Sequence, residues 1–148
     1  MAKFDLVVER LSRYMKLDPP FWWGLWTLWR AFSLSGRKAE AVDACQKSYE
    51  VSGRGAIAQV MGKAGVDDAF LSAACTLAEF YQKQYTSPYD IATLFIHAGK
   101  QEEALFWLQK SLDDVDPRLH FLNVDPDWRG IRDDPRFAGY MKKIGFIV

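Results

Sequence analysis

Histidine and cysteine are scarce in this sequence, with two of each among 148 residues. His97 and His120 have no cysteine or second histidine three or four residues away, so no metal site is expected. Cys45 and Cys75 both fall inside apolar helical patterns and are expected to be buried free thiols of a reducing compartment. An excess of one charge is also missing: 19 basic residues balance 19 acidic ones. A nucleic-acid partner is therefore not expected, since gripping phosphates takes a basic face. Long apolar runs are absent too. The most hydrophobic stretch, Phe21 to Leu34, has 14 residues and contains Arg30, whereas crossing a bilayer takes ~20. It lacks the row of lysines and arginines that interfacial helices carry opposite their apolar side, so no membrane partner is expected. The opening MAKFDLVVERL is charged throughout and does not read as a secretion signal. A cytoplasmic protein is the expectation.

Catalytic groupings are lacking as well. Paired carboxylates occur at Asp67-Asp68, Glu102-Glu103, Asp113-Asp114 and Asp133-Asp134. The first two pairs sit at helix starts, where negative charge offsets the helix dipole. Acid–base work needs carboxylates whose burial shifts their pKa, and the sequence gives no sign of it. No serine, cysteine or lysine has a base at a recognisable spacing. The expectation is a protein that is not an enzyme and uses no cofactor.

What the sequence does hold is helix. Hydrophobic residues make up 49 % and aromatics 15 %, too much apolar surface for a disordered chain. In the stretch Ser87 to Pro117, one apolar stripe runs through Ile91, Ala92, Phe95 and Ile96, and a second through Ala104, Leu105, Leu108 and Leu112. Their spacing of three and four is that of two amphipathic helices, hinged at Gly99 and stopped by Asp116-Pro117. Small Ala92 and Ala104 let the two axes approach. The same frame recurs 63 residues upstream, where Gly36 precedes Ala41 as Gly99 precedes Ala104. It places Leu25, Leu28, Trp29 and Phe32 on one packing face and Cys45 and Ser48 on the next. Between the two, Gly65 turns the chain after Ile57, Ala58 and Met61, with Ala69 following after four residues. Upstream, Val7, Leu11, Tyr14 and Pro19 take the places of a second helix and its closing proline. Phe4, Val7, Val8, Leu11, Tyr14 and Met15 are the apolar face of that first helix, which ends at Asp18-Pro19-Pro20.

The residues Ala92, Phe95, Gly99, Ala104, Leu108, Ser111 and Pro117 resemble the tetratricopeptide repeat, a pair of antiparallel helices recurring every ~34 residues. The proline stands one residue late, and Pro88 occupies a place where tryptophan is usual. The resemblance implies an all-α, right-handed superhelix filling one domain, 1–148. It would comprise a half repeat at 1–19, helix pairs at 20–53, 54–84 and 85–118, and a helical cap at 119–148. The tail residues Pro126, Trp128, Arg132, Asp134, Pro135, Arg136, Phe137 and Gly145 resemble the end of the tetratricopeptide region in bacterial signalling and regulatory proteins. There such regions often follow an effector domain, and no effector segment is found in this sequence.

A cap covers the apolar face that a repeat stack leaves open. Trp128 and Phe137 are therefore expected near Leu108 and Leu112, with Arg132 and Arg136 in a salt-bridge network with Asp127, Asp133 and Asp134. The first helix has no such cap, and its open side is expected to serve a homodimer or a partner.

In tetratricopeptide arrays the first helices line a concave groove. By resemblance the groove positions are Trp23, Trp26, Arg30, Leu34, Gln59, Lys63, Tyr89, Thr93, Ile96 and His97, with His97 facing solvent or the groove. The implied function is non-enzymatic binding of a protein or peptide partner of unknown identity. The alternative is a regulatory or sensory module that takes a small apolar ligand there and acts through a separate effector. Some family members clamp a C-terminal carboxylate with cationic and amide side chains. Here those places hold Trp26, Arg30, Ala56, Thr86 and Asp90, so that specificity does not carry over.

Overall fold

Gly36 and Gly99 end their helices in the same way. In the computed structural model, which describes residues 3–17 and 21–146, both adopt φ near +75° (76° and 74°). The next amide then reaches back to a carbonyl in the last turn: Arg37 N to Phe32 O and Lys100 N to Phe95 O, both at 2.9 Å. This is the Schellman closure, which glycine adopts without a steric penalty. The likeness continues into each following helix. Ser48 Oγ donates to Cys45 O, and Ser111 Oγ, 63 residues later, donates to Leu108 O, both at 2.7 Å.

The helices are α1 (Lys3–Leu17), α2 (Trp22–Leu34), α3 (Lys38–Val51), α4 (Gly55–Tyr81), α5 (Pro88–His97), α6 (Gln101–Asp113) and α7 (Pro135–Lys143). Two 3-10 turns, Pro117–Phe121 and Pro126–Ile131, lie between α6 and α7. The fold is all-helical, with no strand among the described residues. Asp18, Pro19 and Pro20, read as the break between the first two helices, lie outside those residues. α4 is two helices in one span, since Gly65 (φ 75°, ψ 173°) breaks its ladder as the sequence predicts. Acid–proline pairs open three later elements: the carboxylates of Asp116, Asp125 and Asp134 accept from the amides of Arg118, Asp127 and Arg136. Proline follows each, at a position where its missing N–H has no helical partner to lose.

The contacts divide the chain into two compact units, Met1–Ala73 and Ala74–Val148. In the first, α2 and α3 form a hairpin around Ala41, Ala44, Cys45 and Ser48, all buried. Those small side chains allow α2's indoles to fill the space between the helices. In the second, α5 and α6 pair through buried Ala92, Ala104 and Leu108. α7 lies along α6, its Tyr140 hydroxyl donating to Leu105 O at 3.2 Å and Arg136 bridging to Glu102 at 2.8 Å.

Several expectations need correction. Cys45 is buried, but Cys75 is exposed. Ala69, Phe70, Ala73, Ala74 and Leu77 form the buried face of their helix, and residue 75 points away from that stripe. Among the described side chains of α1 only Val8 is buried, while Val7 and Tyr14 of the assigned apolar face are exposed. Trp128 is held by Tyr89 of α5, through a bond the sequence did not suggest. Arg136 joins Asp134 but also Glu102, and Arg132 donates to Asn123 O at 2.5 Å.

Candidate functional site

Four tryptophans in a helix of 13 residues cannot all share one face. Trp22, Trp26 and Trp29 are spaced by four and three, and they form an inward ladder. Trp22 stacks on Trp26 (5.7 Å between centroids), and Trp26 meets Trp29 edge-on (5.1 Å). Trp29 continues the ladder to Phe70 at 5.1 Å, and Trp26 also touches Tyr49 of α3. Trp23 lies about 100° round the helix from Trp22, whose ring it meets at 5.3 Å on the outer side of the ladder, and is 42 % exposed. It begins the outer stripe Trp23, Thr27, Arg30 and Leu34, of which the last three are half-buried.

Two more exposed aromatics lie around the start of α2. Phe21, exposed just before α2, meets Tyr14 of α1 edge-to-face at 6.0 Å. Its ring rests over Gly24, where a Cβ would stand 2.8 Å from the ring edge and 3.1 Å from Met15 Sδ. Gly24 thus makes the notch that seats Phe21. Tyr14, Phe21 and Trp23 are three exposed rings around the start of α2, on the outside of the indole ladder.

The ten groove positions differ in exposure. Trp23, Arg30 and Leu34 share the outer stripe of α2, and Gln59 and Lys63 are exposed on residues 55–64 of α4. Trp26 is only 2 % exposed, because α3 and its Tyr49 cover it. Tyr89 and Thr93 are likewise buried, and Ile96 is half-buried. The turn Pro126–Ile131 returns to α5 and covers that side, so these residues are core and not groove.

What covers them is a buried polar cluster that the sequence did not disclose. Tyr89 accepts from Trp128 Nε1 at 2.7 Å and donates to Asp125 Oδ2 at 2.9 Å. Asp116 accepts from Ser87 Oγ at 2.6 Å and Tyr89 N at 3.2 Å. Asp90 pairs with Arg118. His97, expected to face solvent or the groove, is instead enclosed: its Nε2 stands 3.1 Å from Asp127 Oδ1, with the two side chains 5 % and 0 % exposed. Four aspartates, at positions 90, 116, 125 and 127, are buried here. The acid–proline pairs at 116 and 125 were visible signals for helix starts, but nothing in the sequence marked them as interior. Their oxygens are spent on protein partners, which makes the cluster a clamp for the tail.

Burial pushes the Cys45 thiol well above its ordinary range. Hydrogen bonds from Arg136 hold the Asp134 carboxyl at about 2 and lower Glu102 as well. Among the described residues, no group of three or more His, Cys, Asp or Glu is placed to hold a metal ion. No helix among them is long and apolar enough to cross a membrane. The exposed rings around the start of α2 remain the surface best suited to recognition. Comparison with protein-family models, with characterised sequences and with solved structures finds no match to this chain, so that surface and its chemistry are what a functional reading has to stand on.

Proposed function

We propose that this chain is a non-enzymatic, cytoplasmic protein-interaction module of tetratricopeptide type. In this reading a half repeat, three helix pairs and a C-terminal cap wind into a right-handed superhelix. The repeated glycine closures at Gly36 and Gly99, and the matching bonds of Ser48 and Ser111, support the repeat reading. The observation that carries the function is Trp23, 42 % exposed on α2 against the Trp22 ring, with the exposed Tyr14–Phe21 pair at the start of the same helix. An indole held on a rigid helix at a surface, with a tyrosine and a phenylalanine also exposed, has the composition of an interaction hot spot. Arg30 and Leu34 extend the same stripe. A partner segment with apolar or aromatic anchors fits it. Selection from a peptide library against the wild-type chain tests this directly. Binding should be saturable, lost on Trp23→Ala, and unchanged on Phe106→Ala, which removes an exposed ring from α6. Equal binding by both variants would refute the assignment.

A further inference from the structure

A cavity of about 550 Å³ opens between α1, α2 and α3, and none of Trp23, Arg30 or Leu34 lines it. Its apolar wall is made by Met15 of α1, Leu25, Leu28 and Phe32 of α2, and Val51 of α3. Its other edge is charged. Glu40, Asp43, Lys47 and Glu50 follow one another along α3 at helical spacing, three carboxylates against one ammonium. Lys47 engages Asp43 at 2.7 Å, and Arg37, from outside the cavity, grips Glu40 through two nitrogens at 2.6 and 2.5 Å. With both cations counted, the rim keeps one net negative charge, and Glu50 is an exposed carboxylate at its end.

We propose that this cavity binds a small amphiphile with an apolar body and one cationic head group. Size selects a small molecule: the volume lies within the ~300–1,000 Å³ of ligand pockets, whereas a docking helix is itself ~10 Å across. Charge selects the head group, because an anion would meet the carboxylates of α3 while a cation meets Glu50 at the mouth of an apolar hollow. The site is separate from the proposed recognition surface and does not depend on it.

Isothermal titration with decyltrimethylammonium, below its micelle concentration, tests the proposal, with decanoate as the anionic probe of equal chain length. One equivalent of the cation should bind, with decanoate roughly tenfold or more weaker. Glu50→Lys, an exposed substitution, should abolish or reverse that preference. Ala44→Phe should fill the hollow and abolish binding, while Trp23→Ala should leave it intact. Equal affinity for the two probes in the wild-type chain would overturn the proposal, as would full binding by a folded Ala44→Phe variant. Light scattering that showed a dimer dissociating on Glu50→Lys would give the cavity to a second copy and overturn it too.

Discussion

Trp128 Nε1 donates to the Tyr89 hydroxyl at 2.7 Å, joining two buried side chains 39 residues apart. The same hydroxyl donates to Asp125, so one oxygen satisfies an indole and a carboxylate together. Tyr89→Phe should take the hydroxyl from the indole and remove one bond from Asp125, which keeps the Asp127 amide. An unsatisfied buried group costs ~1–3 kcal/mol, so a loss of at least that order is expected in urea unfolding followed by circular dichroism. In a double-mutant cycle, Trp128→Phe added to Tyr89→Phe should cost less than it does alone. A loss below about 0.5 kcal/mol for Tyr89→Phe would mean that the clamp does not hold the tail.

Val115 is the one described residue other than glycine with a positive φ, at 55°. It ends α6 with the bond that glycine makes elsewhere, Asp116 N reaching Ser111 O at 2.9 Å. A left-handed backbone costs a β-branched residue ~1–2 kcal/mol, and at 79 % exposure the side chain gains little packing in return. Glycine's greater freedom in the unfolded chain offsets ~0.4–1 kcal/mol of the relief. Val115→Gly should therefore stabilise by about 0.5–1 kcal/mol, seen as a higher urea midpoint at unchanged slope. A lower midpoint would show that the valine is packed in solution.

The helix ends were legible because each has a local chemical cause. Glycine at 36, 65 and 99 and the acid–proline pairs at 116, 125 and 134 act within a few residues of themselves. The buried faces of α3, α5 and α6 were legible from their periodicity. Burial imposed by distant chain was not. Tyr89 lies on the side expected to line the groove, and the return of Trp128 after 39 residues covers it. His97 belongs to the same problem, since its partner Asp127 lies on that returning turn. Trp26 was hidden for another reason: on a helix with indoles on several sides, composition cannot say which side α3 covers.

Arg136 clasps Glu102 at 2.8 Å and Asp134 at 2.8 Å. The Asp134 carboxyl is held at about 2, below its ordinary 3.8, chiefly by the Arg136 side chain. Because the folded value is the lower one, the stabilisation is present above about pH 4 and is lost as pH falls through about 2. Arg136→Met should move the Asp134 titration, followed by carboxyl ¹³C shifts, back towards the ordinary value. It should also flatten the fall in stability across that window. An unmoved titration would leave the backbone amide of Arg136 as the cause, and the ion pair as incidental. Arg136 and Glu102 are exposed, so the effect on stability is small at neutral pH.

Trp23 and Trp26 stand one turn apart on α2, yet they should respond to truncation in opposite ways. Trp26 is buried against Trp29 and Tyr49, so Trp26→Ala opens a cavity and should cost about 3–5 kcal/mol. Trp23 touches the ladder at its outer member, Trp22, and is 42 % exposed, so Trp23→Ala should cost about 1 kcal/mol or less. Iodide quenching of tryptophan fluorescence reads exposure independently: the readily quenched fraction should fall in Trp23→Ala. If Trp23 is instead the costly residue, its ring is part of the core. In that case the surface proposed for recognition lacks its central side chain, since Phe21 and Tyr14 alone do not reach Arg30 and Leu34 along the helix.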